Sequence, residues 1–111
     1  MRKEKVGFGN LRVEKVDEYL FNTKAKTLML FKGVKILFTK GMKLTINRKV
    51  KLLVTDVQFV KIDDLTNQDA IDYGFNFGDK SLEKLKDRLI RVFVSNQYTK
   101  YQKIRVQKIY N

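Results

Sequence analysis

No cysteine and no histidine occur among the 111 residues. The first absence excludes disulfides, thiol nucleophiles and cysteine zinc sites. The second removes the commonest metal ligand and the usual general base. Catalysis would have to run on lysine, threonine, serine, tyrosine and carboxylates, and neither a metal nor another cofactor is expected. Proline is missing too, which says little in so short a chain. Long apolar runs are also lacking: the longest, residues 28–31, falls far short of the ~20 residues of a membrane span. The charged opening residues 1–5 lead into no apolar stretch of a secretory signal. A cytoplasmic location is the expectation.

What the chain does have is positive charge. Lys and Arg number 24 against 12 Asp and Glu, a formal net charge of +12, enough to set up a long-range field. The excess is unevenly placed. Residues 20–55 hold nine cations (Lys24, Lys26, Lys32, Lys35, Lys40, Lys43, Arg48, Lys49, Lys51) and no acid, and residues 88–111 hold six more and no acid. Between them, residues 56–79 carry six aspartates and one cation, Lys61. A lysine-rich surface kept only for solubility has mixed signs. Two acid-free basic blocks around an acidic one fit an anionic partner better.

With 43% apolar residues the chain can bury one compact core, and residues 1–111 read as one domain, expected to be a monomer. Residues 5–13, with Val6, Phe8 and Val13 around two glycines, read as an irregular first strand. Residues 14–22 read as a helix with Val16, Tyr19 and Leu20 on one face. Residues 26–31 are extended. In the next segment Val34, Ile36 and Phe38 alternate with Lys35, Leu37 and Thr39, which predicts a strand with one buried face. The turn at Thr39-Lys40-Gly41 joins it to a returning strand with Met42, Leu44 and Ile46 inward.

Residues 49–63 form the longest extended stretch. Val50, Leu52 and Val54 hold one phase and Val57 and Phe59 the other, so a β-bulge is expected near Thr55 and Asp56. Thr66 and Asp69 stand at capping-box spacing before a short helix, and Gly74 supplies its left-handed end. Ser81 caps a further helix with Leu82, Leu85, Leu89 and Phe93 in a stripe. The final strand carries Ile104, Val106 and Tyr110. The class is α+β: a small, mainly β barrel of about six strands with two to three short helices.

The long strand running into Leu65-Thr66, the short helix ending near Gly74, and Ser81-Leu82-Glu83-Lys84-Leu85-Lys86 before the last strand resemble an ASCH domain of the PUA-like β-barrels. Phe31-Lys32-Gly33-Val34-Lys35-Ile36 is similar to that family's lysine-valine-glycine-aspartate strand opening, and the resemblance spans residues 10–110. It implies a Gly-x-Lys-x-Thr-x-Arg type stretch after the first helix, lining a cleft beside the barrel. At the matching residues 22–31, Lys26 and Thr27 stand for the Lys-Thr pair. The glycine has become Thr23 or Lys24, the second threonine Leu28 or Met29, and the arginine Leu30 or Phe31. Some ASCH proteins hydrolyse acetylated cytidine with a lysine, a threonine and a glutamate. Here that threonine becomes apolar and the glutamate falls at Tyr73, beside Asp72. A nucleoside amidohydrolase would have only Lys26, Thr27 and Asp72 to work with.

The reading these features favour is RNA binding by charge and shape. Phosphate contacts are expected from Lys24, Lys26, Lys32, Lys35, Lys43, Arg48, Lys49, Lys51, Lys100, Lys103 and Arg105, with Tyr98 and Tyr101 stacking on unpaired bases. Lysines on alternating strands also blunt sheet edges, but an acid-free block of this length exceeds that need. The acidic block matches no EF-hand spacing, so it reads as helix capping and a solvated face. The sequence singles out no RNA; ribosomal RNA and transfer RNA both fit. Amidohydrolase activity is the alternative, and DNA binding a second one, since a basic surface alone does not tell the polymers apart.

Overall fold

Five strands carry the fold: β1 (Asn10–Leu11), β2 (Leu28–Lys32), β3 (Lys43–Ile46), β4 (Val50–Lys61) and β5 (Lys100–Lys108). The computed structural model describes residues 9–93, 95, 96 and 98–109. Val6, Phe8 and Tyr110, assigned above to the first and last strands, lie outside them. The strands line up as β1-β3-β4-β5-β2, with β1 parallel to β3 and the other pairs antiparallel. Among the described residues the expected barrel is therefore corrected to an open sheet: the edge strands β1 and β2 are not hydrogen-bonded to each other. α1 (Lys15–Asn22), α2 (Asn67–Asp72) and α3 (Ser81–Phe93) complete the α+β architecture.

The bulge falls where the alternation slips. β4 pairs with β5 at Val54↔Val106 and then at Asp56↔Arg105, so Thr55 is the extra residue. Side chains change face at every step of a strand, and one inserted residue restores the phase. Val57, opposite Ile104, thus packs on the same core as Val50, Leu52 and Val54, together with Phe21, Met29, Phe38, Leu44 and Ile46. Val60, at the far end of β4, joins Ile62, Leu65, Ala70, Leu85, Leu89 and Tyr101 in a second core, beneath α2 and α3.

The strand predicted over residues 34–38 does not form. Val34 and Leu37 are exposed and only Phe38 reaches the core. Gln102 explains why. Its buried amide accepts from the Phe38 N–H (3.1 Å) and donates to the carbonyls of Gly33 (3.1 Å) and Ile36. A side chain thus satisfies backbone groups that a neighbouring strand would otherwise have to meet. Thr39-Lys40-Gly41 does turn the chain, with the Met42 amide donating to the Thr39 carbonyl (3.1 Å) and Gly41 at φ +94°, but with no strand before it the hairpin is instead β3–β4, turning at Asn47-Arg48, where the Lys49 amide donates to the Ile46 carbonyl (2.9 Å).

Of the helices, α2 follows its signals most closely. Thr66 and Asp69 form the capping box before α2, each side chain accepting the other's amide, and Gly74 turns the chain at φ +104°. α3 buries Leu85 and Leu89, with Leu82 half-buried; Phe93, expected on the same stripe, is partly exposed. Its first free amide, on Leu82, donates to Asn67 Oδ1 (2.9 Å), while the Ser81 hydroxyl turns back to the Gly78 carbonyl. α1 departs further: Val16 and Tyr19 are exposed and Phe21 is the buried residue.

Replacing Gln102 by Leu leaves the buried Phe38 amide without a partner, at a cost of about 1–3 kcal/mol. Urea unfolding should show that loss, and hydrogen exchange should quicken at Phe38 while the β4–β5 amides stay protected. Unchanged stability would mean that Gln102 does not hold the loop.

Candidate nucleic-acid interface

The β3–β4 hairpin gathers four of the cations singled out above. Its two central turn residues have positive φ, Asn47 at 52° and Arg48 at 60°, the geometry of a type I′ turn, whose twist suits antiparallel strands. Arg48 and Lys49 are exposed there. Down the ladder Thr45 stands opposite Lys51 and Lys43 opposite Leu53. Residues two apart and residues directly paired share a face, so Lys43 and Lys51 project from the same side of the sheet, both exposed.

Lys32, Lys35 and Lys100 are exposed at the other end of the sheet. The Gly33 amide donates to the Lys100 carbonyl (3.3 Å), Lys100 pairs in register with Lys61, and Lys32 Nζ donates to the Phe93 carbonyl (2.8 Å). Tyr98 stands near them in the chain, 71% exposed. Lys51 and Lys61 lie ten steps apart on β4, about 33 Å of extended chain. The cations therefore form two clusters rather than one stripe. Lys24 is exposed beyond the end of α1.

Between these clusters three expectations need correction. Tyr101 is 1% exposed, packed in the second core with its hydroxyl hydrogen-bonded to Ser95, so it has no face to offer a base. Lys103 and Arg105 project toward α2, where Asp69 meets both, Lys103 Nζ at 3.2 Å and Arg105 Nη2 at 2.7 Å. Asp72 takes the other guanidinium nitrogen at 2.8 Å. Their charge is matched inside the protein. Asp69 is almost wholly buried. Burial alone would raise its pKa, but the Thr66 amide, Lys103 and Arg105 outweigh that and hold the carboxyl below its usual range. This part of the acidic block is therefore not a solvated face.

Lys26, expected at the phosphate surface, is buried instead. It sits in a cleft of about 450 Å³ between α1 and α3, among Asp17, Tyr73, Phe75, Phe77, Arg88 and others. Its Nζ donates to the Tyr73 carbonyl (2.8 Å), lies 3.5 Å from the centre of the Tyr73 ring and stands 3.8 Å from Asp17 Oδ1. Burial lowers its pKa from 10.5 to about 8, with Arg88 adding to the effect and Asp17 opposing it. Burial likewise raises the Tyr73 hydroxyl. A Cβ on Gly74 would come 3.1 Å from the tip of the Leu20 side chain, which would have to shift by a few tenths of an ångström; the backbone at φ +104° is what calls for glycine at the cleft floor.

Thr27 and Asp72 do not line this cleft. The Thr27 amide donates to the Asp72 carbonyl (2.8 Å), and the Asp72 carboxylate is engaged by Arg105 and by Gln68 (2.9 Å). The trio Lys26, Thr27 and Asp72 is not assembled around one point. No group of three or more carboxylates that could hold a metal ion occurs among the described residues.

No protein-family model matches the sequence, and no curated protein matches it significantly. A solved structure does match in shape: the ASCH domain from Lactobacillus crispatus JV V101, with a TM-score of 0.74, 13% identity, and coverage of 86% of this chain and 72% of that one. The chain has an ASCH-like fold. At that identity the likeness is one of fold alone. Leu28 and Met29, where the second threonine of the signature is expected, are core residues, and Lys26 lines the cleft beside α1. No helix among the described residues is long and apolar enough to cross a membrane.

Two features escaped the sequence reading. The aromatic wall of Tyr73, Phe75 and Phe77, whose rings meet tilted and edge-on, left only its two-residue spacing as a signal. Arg12 and Lys15 lie close to the hairpin turn, but in the chain they are interspersed with acids, so no charge block marks them.

Lys26 titrates near 10.5 when unfolded and about 8 in the fold. Between those values the unfolded state binds more protons, so folding gains as pH rises. Wild type should therefore gain stability relative to Lys26→Met from pH 8 to 10.5, by up to about 3 kcal/mol, in urea melts at matched pH. A difference independent of pH would show that the ammonium is not desolvated.

Proposed function

We propose that this chain binds RNA, recognising it by charge and shape rather than by reading bases. The observation that carries this reading is the β3–β4 hairpin. Lys43, Arg48, Lys49 and Lys51 are exposed there, and no carboxylate among the described residues pairs with them. Unmatched, solvated cations on a rigid ladder are what phosphate contact requires: each releases a condensed counterion when it meets the backbone. The cluster of Lys32, Lys35 and Lys100, with Tyr98 nearby, would extend the contact along the sheet. The ASCH-like fold is consistent with the reading, and ribosomal or transfer RNA fits as partner.

Four such contacts at ~0.9 each give a slope of log affinity against log salt near −3.6, or about a hundredfold weaker binding at 200 than at 50 mM salt. Fluorescence anisotropy with a labelled RNA stem-loop should show this, and Lys43→Gln and Lys51→Gln should each reduce the slope by about one. A flat salt response in wild type would overturn the reading, and equal affinity for duplex DNA of the same sequence would replace RNA with nucleic acid in general.

The cleft supports a second reading, as a nucleoside amidohydrolase. Lys26, its pKa lowered by burial, lies in a concave site of the size small ligands occupy. Release of acetate from N4-acetylcytidine, abolished by Lys26→Met, is what this reading expects. No product at high protein concentration would remove it.

A further inference from the structure

Arg48 occupies one of the two positions of the hairpin where an arginine is costly. A type I′ turn needs positive φ at both central residues, and asparagine followed by glycine is the usual pair. Asn47 fits that rule, whereas Arg48, at φ 60°, places a Cβ where it crowds the backbone. Stability alone would favour glycine. The side chain instead lines a groove of about 460 Å³ between the hairpin turn and the start of α1, together with Arg12, Lys15 and Lys49. Its single lining carboxylate, Glu18, accepts a hydrogen bond from Asn47 Nδ2 at 2.9 Å. No carboxylate among the described residues forms an ion pair with the four cations.

The groove is rigidly built. The Asn47 side chain bridges Val13 in both directions, accepting from its N–H at 2.8 Å and donating to its carbonyl at 2.9 Å. The Asn47 amide donates to the Leu11 carbonyl (2.8 Å) and the Arg48 amide to Asn10 Oδ1 (2.7 Å). The turn and the segment beside it are therefore one unit. Two guanidinium groups offer paired donors suited to a tetrahedral oxyanion, and two ammonium groups add charge. Backbone strain kept at a site of concentrated charge is a recognised mark of function.

We propose that this groove seats a phosphodiester of the bound RNA, with Arg12, Lys15, Arg48 and Lys49 as its cations. The proposal rests on the RNA reading above and adds to it two residues, a location and a reason for the strained turn.

The test compares wild type, Arg48→Gly, Arg48→Lys, Arg12→Ala and Lys43→Gln for thermal stability and for binding of the labelled RNA stem-loop across a salt series. Arg48→Gly is expected to raise the midpoint of unfolding by about 3–5 °C. The same variant should weaken RNA binding about three- to tenfold and take about one from the salt slope. Arg12→Ala should weaken binding similarly, whereas Arg48→Lys should keep the slope. If Arg48→Gly and Arg12→Ala bind with unchanged affinity and slope while Lys43→Gln loses both, the groove is not a contact and the RNA reading stands. If wild type itself shows no salt-dependent RNA binding, both fall together. Because Arg48→Gly relieves strain, loss of binding in that variant cannot be put down to misfolding.

Discussion

A strand turns each successive side chain to the opposite face, and β4 has to serve a core at each end of its twelve residues. The inserted Thr55 resolves the conflict. It lets Val57 follow Val50, Leu52 and Val54 into one core, while Val60, three residues on, reaches the other. β5, paired along both edges, then divides its own rows. Ile104 and Val106 enter the first core, and Tyr101, Lys103 and Arg105 face the helices. Without the extra residue Val57 would sit on the same face as Arg105, and a hydrophobic side chain would displace the ion pairs to Asp69. The placement of α2, fastened by those pairs, depends on one residue in a neighbouring strand.

Local signals were legible in the sequence where one segment contained the whole cause. The bulge, the capping box of Thr66 and Asp69, the turn at Gly74 and the α3 residues Leu85 and Leu89 all belong to this kind. Misreadings arose where a distant residue decided the outcome. Val34, Ile36 and Phe38 alternate as in a strand, but Gln102, 64 positions after Phe38, meets the backbone and leaves a loop. Barrel closure likewise depends on whether the two edge strands meet, which no segment encodes by itself. Charge blocks have the same weakness: residues 88–111 contain no acid, yet Asp69 is 34 and 36 positions away from Lys103 and Arg105 and matches them in space.

The positive charge is thus sorted by depth. Lys103 and Arg105, drawn under α2, carry partners because an unmatched charge there would cost several kcal/mol. Those on the hairpin need none, since water screens them at little cost. Matched cations contribute nothing to the outer field. The excess of +12 is therefore expressed mainly where the surface is free of carboxylates, and the electrostatic asymmetry of the molecule follows from the same packing that sets its cores.

This sorting separates the two concave sites. The cleft around Lys26 is lined by four cations, Lys26, Lys84, Arg88 and Arg91, against three carboxylates, Glu14, Asp17 and Asp87, and Lys26 is already engaged by the Tyr73 carbonyl and ring. A phosphate entering there would meet nearly balanced charge and would have to compete for a lysine whose charged form burial disfavours. The groove at the hairpin has four cations against one carboxylate, and that carboxylate accepts from Asn47. Its cations are solvated, so a polyanion gains Coulomb attraction and counterion release with little desolvation penalty. The aromatic wall of the cleft suits a flat, weakly charged ring better than a phosphate. Charge and shape therefore favour a backbone contact at the hairpin and a small planar ligand at Lys26, and only the first uses the unmatched charge that sets this chain apart.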